Sequence, residues 1–255
     1  HLKCLTIQVV GLSGGIDSSV IAVLCADVFG SDHVHGVMLP GPYSTEHSLD
    51  DARELADNLG IETHVVSICE PFEAFEAVLR RSGCGKLSGT ASENTQARCR
   101  TVVLMALSNA NGWMLVNTGN RSESMMGYST LYGDTAGAFS PTGDLYKSEM
   151  YDLARYINRT QGDPIPGNIL DKEPSSELHP GQKDSDILPP YEVVDAILYR
   201  MIEEGQHREE IVNAGFDSEV VEKIHAMIMR NEKKRYQFPP VLRLSACAFG
   251  HERIL

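Results

Sequence analysis

Residues 5–30 read LTIQVVGLSGGIDSSVIAVLCADVFG, and this stretch decides the fold. Residues 5–10 are an apolar, β-branched run that predicts a buried strand. Residues 11–19 are rich in glycine and serine and predict a loop. From Ser18 to Phe29 the apolar residues return at helical spacing, and Gly30 is placed to end that helix. The stretch therefore predicts a strand, a glycine-rich loop and a helix in direct succession.

The next hundred residues repeat this alternation. Residues 33–39 predict a second strand, residues 49–59 a helix that Gly60 ends, and residues 62–68 a third strand. Helices at 71–81 and 94–109 and a strand at 113–117 extend the pattern. Such alternation favours parallel strands with right-handed crossovers. The predicted fold class is α/β, a doubly wound parallel sheet with flanking helices, in which ligands bind at the carboxyl ends of the strands.

The second half of the chain has a different character. A helix is predicted at 145–159, and residues 160–190 are polar and contain many prolines. A segment longer than about 12–15 residues without regular structure is usually functional or disordered, and we interpret this one as a lid loop. Helices are predicted at 191–204 and 217–234. We expect a single domain over residues 1–255, with residues 191–255 as a helical extension and tail.

Composition excludes several classes of protein. A net charge of −13 argues against a general nucleic-acid or membrane-surface binder, and no apolar run approaches the roughly 18 residues of a bilayer span. The six cysteines include no CxxC pair, and no signal peptide precedes them, so we expect reduced thiols in the cytoplasm. Cys4 and Cys25 lie in apolar runs and are interpreted as core residues. Because His1 leads almost directly into a strand, the chain is expected to be a fragment or a processed form.

The loop at residues 11–19 has the composition of a phosphate-binding site. Gly14 and Gly15 allow close approach of the backbone, Ser13 and Ser18 add hydroxyl groups, and the helix that follows directs its first amides at the loop. Asp17 does not suit phosphate by itself, since a carboxylate repels it. A bridging Mg²⁺ would resolve this conflict. The alternative is a glycine-rich turn with an acidic first helical turn.

This segment resembles the SGGxDS loop of the N-type ATP pyrophosphatases, which split ATP into AMP and pyrophosphate. NAD, GMP, asparagine and argininosuccinate synthetases share it. The resemblance implies that the loop residues contact ATP; these are Gly11, Leu12, Ser13, Gly14, Gly15, Ile16, Asp17 and Ser18.

Two later segments, Thr118-Gly-Asn-Arg-Ser-Glu123 and Gly127-Tyr-Ser-Thr-Leu-Tyr-Gly-Asp134, resemble the NAD synthetase family within this group. The resemblance implies that Asp17 and Glu123 hold the Mg²⁺ and that Lys147 is catalytic with them. It implies ATP contacts for Thr118, Lys147 and Ser176. Without it, Glu123 is equally well explained as a residue in the first turn of a helix.

The same resemblance assigns contacts to the substrate, deamido-NAD. They fall on Asn94, Arg98, Glu123, Asp134 and Lys234. Leu131 and Ala138 stand where ammonia-using members carry lysine and aspartate, so those two contacts are not carried over. Residues 182–191 and 237–250 are similar to the glutamine-using branch, but 255 residues leave no room for its glutaminase domain. The chain is therefore expected to be an isolated domain or a variant fed by free ammonia. Ammonia is the expected nitrogen donor, with glutamine used only if a glutaminase domain or partner is supplied. The resemblance also implies a homodimer.

Two other functions stay open at the sequence level. One is an ATP pyrophosphatase with a different acceptor, such as a tRNA thiolase. The other is a nucleotide-binding module without catalytic activity, because fold alone does not determine function.

Overall fold

A computed structural model describes residues 7–247, which form a four-stranded parallel sheet with helices on both faces. The strands are β1 (Gln8–Gly11), β2 (Val34–Met38), β3 (Glu62–Val65) and β4 (Met114–Leu115). They lie in the order β3-β2-β1-β4, and every pair is parallel. The doubly wound α/β fold predicted from the sequence is confirmed.

Eleven α-helices occur within the described residues. They are α1 (Ile16–Phe29), α2 (Glu46–Leu59), α3 (Cys69–Arg81), α4 (Thr90–Asn111), α5 (Arg121–Met126), α6 (Lys147–Gln161), α7 (Gly167–Asp171), α8 (Tyr191–Ile202), α9 (Arg208–Asn213), α10 (Ser218–Arg230) and α11 (Glu232–Arg235). No helix in this part of the chain is both long and apolar enough to cross a bilayer.

Each face of the sheet has its own apolar core. On one face α1 packs between the strands and α6, and Val20, Ile21 and Val23 are fully buried. A helix that is apolar on nearly all sides needs this two-sided burial. On the other face α3 and α4 cover Val9, Val37 and neighbouring residues. The two layers fix the carboxyl edge of the sheet, where the site lies.

A third core joins the carboxyl-terminal helices to the sheet region. Met125 and Met126 of α5 are fully buried in one apolar cluster with residues of α8, α9 and α10. α5 follows β4 closely in the chain and carries Glu123. The packing of α5 on the carboxyl-terminal helices therefore helps to fix the position of the site.

Most predicted elements are confirmed, with five main differences. β3 covers only Glu62–Val65 of the predicted strand 62–68. β4 covers only Met114–Leu115 of the predicted strand 113–117, because the chain beyond it pairs with Phe139 instead. The helix predicted at 217–234 divides at Asn231, whose side-chain amide donates to the carbonyl of Met126 at 2.8 Å. Helix α7 lies inside the predicted loop 160–190, and α9 was not predicted.

Some predictions concern residues outside 7–247. These are the core position of Cys4, the first two residues of the first strand and the family segment at 248–250. Within the described part, Cys25 is 3% exposed, which confirms it as a core residue. The division of residues 1–255 into a domain, a lid and a helical extension stays a prediction.

Candidate functional site

The loop after β1 depends on a glycine at position 14. Gly14 has a φ of +74°, and a Cβ there would lie 2.1 Å from the carbonyl oxygen of Ser48 in α2. Only glycine therefore allows the loop to rest on α2. Gly15 caps α1 and has no side chain that could occupy its first amides, while the hydroxyls of Ser18 and Ser19 donate to the Gly15 carbonyl. The first amides of α1 are thus available to an anion.

Three charged side chains meet beside this loop. They are Asp17 in the first turn of α1, Glu123 in the first turn of α5 and Lys147 at the start of α6. The amino group of Lys147 donates to the carboxylate of Asp17 and lies 3.3 Å from Oε1 of Glu123. Only 4% of the Lys147 side chain is exposed, against 18% for Asp17 and 22% for Glu123. The structure brings the three predicted catalytic residues together.

Asn120 connects the two carboxylates. Its Oδ1 accepts a hydrogen bond from the backbone N–H of Glu123 at 3.0 Å, which caps α5. Its Nδ2 donates to Oδ1 of Asp17 at 2.9 Å. One buried amide side chain therefore fixes the start of α5 and the orientation of Asp17.

Asp195 of α8 holds the start of α6 in the same way. Its carboxylate accepts hydrogen bonds from the hydroxyl of Ser122 and, at 2.8 Å, from the backbone N–H of Ser148. Ser122 in turn accepts from the backbone N–H of Lys147 at 2.9 Å. Asp195 is 5% exposed, so this network lies in the interior. It places Lys147 against Asp17 and Glu123.

The electrostatics of this group follow from its burial. Burial raises the pKa of Glu123 to about 8, although the neighbouring Lys147 ammonium acts in the opposite direction. Burial also disfavours the charge on Lys147, but Asp17 and Glu123 outweigh it, and the pKa of the amino group lies above its ordinary value. Two ionised carboxylates beside a single ammonium would leave a surplus of negative charge, which either a proton on Glu123 or an additional cation relieves.

The site opens into a cleft of about 350 Å³ at the carboxyl edge of the sheet. This is the size range of small-molecule sites. The cleft is lined by residues from segments 11–18, 115–119, 129–136 and 172–178 together with Glu123, Lys147, Asp184 and Arg100. All of the predicted ATP residues line it except Gly14, which packs against α2 instead.

Asp134 and Asn117 shape one wall of the cleft. Asn117 is buried, and its Nδ2 donates to the carbonyl oxygens of Asp134 at 2.7 Å and Ala136 at 3.0 Å. The Asp134 side chain keeps contact with solvent in the cleft, while the surrounding protein removes enough water to raise its pKa to about 6. Its Oδ1 accepts a hydrogen bond from the N–H of Thr130. Asp134 is thus available to a ligand in the cleft.

The other three predicted substrate residues, Asn94, Arg98 and Lys234, do not line the cleft but contact the loop that forms this wall. Asn94 accepts a hydrogen bond from the hydroxyl of Thr130 at 2.7 Å, and Arg98 donates to the carbonyl of Leu131 at 3.1 Å. Lys234 donates to the carbonyls of Gly127 and Ser129, both at 2.6 Å. These contacts hold the loop that carries Asp134. Direct contacts of Asn94, Arg98 and Lys234 with a substrate stay a prediction.

The predicted lid lies against the loop region. Ser176 is exposed and lines the cleft, and the carboxylate of its neighbour Glu177 accepts hydrogen bonds from the hydroxyls of Thr45 at 2.8 Å and Ser48 at 2.7 Å. Lys172 forms an ion pair of 2.7 Å with Asp51. Segment 172–178 is therefore attached to the amino-terminal half of α2, the helix on which the phosphate loop rests.

Sequence reasoning missed several residues of the site. Asn120 could have been found, because an asparagine three residues before Glu123 is a helix-capping pattern. Asp195 carries no such signal, since its partners are distant in the chain. Asp184 accepts hydrogen bonds from Tyr128 at 3.2 Å and Tyr191 at 3.0 Å. Arg100 adds a further cation to the cleft beside Lys147 and Lys172, and burial lowers the pKa of its guanidinium group.

Comparison with known proteins gives a consistent result. The family model described as NAD synthase matches residues 4–238. A glutamine-dependent NAD(+) synthetase of Thermotoga maritima is 45% identical over 245 residues, which are 96% of this chain and 42% of that protein. The chain thus spans less than half the length of this curated relative.

Two solved structures are also similar. A glutamine-dependent NAD+ synthetase from Acinetobacter baumannii, in complex with ADP, has a TM-score of 0.63 and 37% identity, covering 96% of this chain and 44% of that chain. An NMN synthetase from Francisella tularensis has a TM-score of 0.75 and 31% identity, covering 93% and 88% of the two chains.

Proposed function

Because this chain belongs to the NAD synthase family, we propose that it amidates deamido-NAD to NAD⁺ at the expense of ATP, with release of AMP and pyrophosphate. One observation carries the proposal: Lys147 lies between Asp17 and Glu123 directly beside the loop after β1. A protein that only binds nucleotides has no need of such a group. The arrangement suits a reaction in which negative charge moves from one phosphate to another.

The donor set also fits Mg²⁺. Two carboxylates that lie on different helices and face one cleft supply the oxygen ligands that Mg²⁺ prefers, and the ion would balance their negative charge when both are ionised. Asp17 and Glu123 would hold the ion, which would neutralise the phosphates of ATP. The Lys147 ammonium balances one of the two carboxylate charges, and the ion would balance the other. Lys147 is then positioned to contact the pyrophosphate end of ATP when the nucleotide binds.

Two chemical steps follow. In the first, a carboxylate oxygen of the nicotinate group attacks the α-phosphorus of ATP and pyrophosphate leaves. The amides of the loop and of α1 hold the departing phosphates. In the second, ammonia attacks the carbonyl carbon, loses a proton, and AMP leaves with the oxygen that had attacked. The protein supplies position and charge, so neither step requires a nucleophilic side chain.

The nitrogen donor of this chain is proposed to be ammonia. Among the described residues, the cysteines are Cys25, Cys69, Cys84, Cys99 and Cys247, and none of them lines the cleft. A thiol that could hydrolyse glutamine is therefore not part of this site. The ammonia is either free in solution or delivered by a glutaminase.

We further propose a homodimer located in the cytoplasm. Exposed apolar side chains occur on neighbouring helices of one face, namely Phe75 and Val78 of α3 and Val102 and Met105 of α4. Patches of this kind are typical of protein interfaces. Light scattering would give the mass of the assembly, and a charge at Val102 (V102D) should shift it toward the monomer.

Pyrophosphate release tests the proposed activity. The purified chain is incubated with ATP, Mg²⁺ and ammonium, with or without deamido-NAD. Release that depends on deamido-NAD and is matched by NAD⁺ formation supports the proposal. Release with no acceptor, or no release at all, contradicts it.

A second candidate function differs only in the acceptor. The similarity to an NMN synthetase extends over most of both chains, which makes nicotinic acid mononucleotide the second candidate acceptor. The same assay with the mononucleotide in place of the dinucleotide separates the two. A higher kcat/KM for the mononucleotide than for deamido-NAD would identify the mononucleotide as the acceptor. The two chemical steps would be the same.

A further inference from the structure

Two histidines and a glutamate converge on the outer pair of strands. His35 belongs to β2, and Glu62 and His64 belong to β3. His35 lies directly opposite Glu62 in the parallel register, and His64 is two residues farther along the same strand. Side chains two residues apart point to the same face of a sheet. The register therefore places all three on one face, and none of them lines the nucleotide cleft.

The distances within this group do not suit hydrogen bonds. Nδ1 of His35 lies 3.5 Å from one carboxylate oxygen of Glu62, and Nε2 of His64 lies 3.6 Å from the other. Both ring nitrogens are buried and have no hydrogen-bond partner. Buried polar atoms normally have one, so this pair requires an explanation.

The same distances suit a shared metal ion. Zinc binds histidine nitrogen at about 2.0–2.1 Å and carboxylate oxygen at about 2.0–2.2 Å, so two ligands of a tetrahedral site are about 3.4 Å apart. The candidate ligand atoms of the three residues all lie within 4.8 Å of one another. A modest inward movement of His64 would bring all three to bonding distance. Among residues 7–247 this is the one cluster of three such side chains with that spacing.

A tryptophan holds the first ligand in place. The ring of Trp113 stacks on that of His35, with centroids 3.9 Å apart and planes 12° apart. His64 stacks loosely on His35 at 5.8 Å. Because stacking restricts the rotation of His35, its ring nitrogen is already directed at Glu62. Groups packed around metal ligands commonly have this orienting role.

We propose that His35, Glu62 and His64 form a binding site for Zn²⁺ or a similar divalent transition metal, separate from the nucleotide cleft. Two imidazoles and a carboxylate are ligands that such ions accept, whereas Mg²⁺ favours oxygen alone. The side chains of Glu62 and His64 are 66% and 35% exposed, so solvent reaches the site. A fourth coordination position is open to water, and the bound ion ties the edge strand β3 to β2.

Trp113 also provides the readout, because it is the single tryptophan of the chain and lies against a ligand. The full chain, stripped with a chelator, is titrated with ZnCl₂ in the absence of nucleotide. Tryptophan emission and competition with a chromophoric chelator are followed together. We expect one equivalent of zinc to bind with a saturable change in emission.

Substitutions of the ligands test where the zinc binds. E62Q and H64Q should each weaken zinc binding by about tenfold or more, since even groups outside the ligand set contribute on the order of 10–100-fold. H47Q removes an exposed histidine from α2 and should have no effect. D17N, in the cleft, should also leave zinc binding unchanged. Absence of saturable binding, or equal binding by wild type, E62Q and H64Q, would overturn the proposal.

Discussion

The Nζ of Lys147 lies 3.3 Å from Oε1 of Glu123, although the two residues lie in the first turns of different helices and are 24 positions apart in the chain. Each helix start is fixed by another buried polar side chain, Asn120 for α5 and Asp195 for α6. The ion pair is therefore set by the packing of α1, α5, α6 and α8 around one point. Substitutions that remove a charge but keep the side-chain shape should therefore change the function of this group while leaving the fold intact.

The first prediction concerns the two carboxylates. D17N and E123Q should each reduce kcat by about 10²–10³-fold or more, since removal of one electrostatic contact at a reacting centre commonly costs that much. Both replacements keep nearly the same shape, so circular dichroism should match wild type and unfolding should stay cooperative. Steady-state pyrophosphate release checks the prediction. Turnover within tenfold of wild type for either variant would contradict the proposal that Asp17 and Glu123 hold the Mg²⁺.

The raised pKa of Glu123 makes stability depend on pH. Because burial lifts its pKa from 4.5 to about 8, the folded chain keeps a proton that the unfolded chain has lost between these values. The contribution of Glu123 to stability should therefore decline as pH rises from about 4.5 to 8. E123Q lacks this loss, so its stability relative to wild type should increase with pH across this window and be constant on either side.

Urea unfolding at several pH values, with a chelator present, measures this difference. E54Q changes an exposed glutamate of α2 and serves as the control. A pH-independent difference between E123Q and wild type would show that burial does not control the ionisation of Glu123.

The sequence predicts one part of this site from local signals and another part only through resemblance. β1, the loop and α1 are continuous in the chain, so apolar periodicity and glycine placement identify them directly. The contact between Lys147 and Asp17 spans 130 positions, and no local pattern reveals it. Asp195 is less predictable still, because an acidic residue in a helix is normally exposed.

Irregular structure accounts for the other differences. The predicted strand at 113–117 ends early because the N–H of Asn117 donates to the carbonyl of Phe139, outside the sheet. The orientations of Asn94, Arg98 and Lys234 toward the backbone of one loop also depend on tertiary packing. Sequence patterns do not contain that information.

The lid proposal predicts protection of segment 163–187 by ligands. The Glu177 carboxylate attaches this segment to Thr45 and Ser48 through exposed or half-buried hydrogen bonds, which open easily. Hydrogen exchange across 163–187 should slow when ATP and deamido-NAD bind together. E177A should speed exchange there in the ligand-free chain, while D171N, at an exposed residue of α7, should not. Equal exchange with and without both substrates would exclude a lid.

The donor proposal predicts that ammonium supports NAD⁺ formation and that glutamine alone does not. The physical reason is the absence of a thiol among the described residues that line the cleft. NAD⁺ is measured with each donor at equal concentration, and added glutaminase should restore activity with glutamine. Glutamine-driven synthesis by the purified chain alone would show that the prediction is wrong.

The central claim is that the nicotinate carboxylate of deamido-NAD becomes joined to AMP before ammonia attacks. The transfer of a carboxylate oxygen to AMP tests this claim most directly. Deamido-NAD labelled with ¹⁸O in its nicotinate carboxylate is converted with ATP, Mg²⁺ and ammonium, and AMP and pyrophosphate are analysed by mass spectrometry. If the carboxylate attacks the α-phosphorus beside Lys147, each AMP should carry one labelled oxygen and pyrophosphate none. Unlabelled AMP, or label in pyrophosphate, would contradict the account.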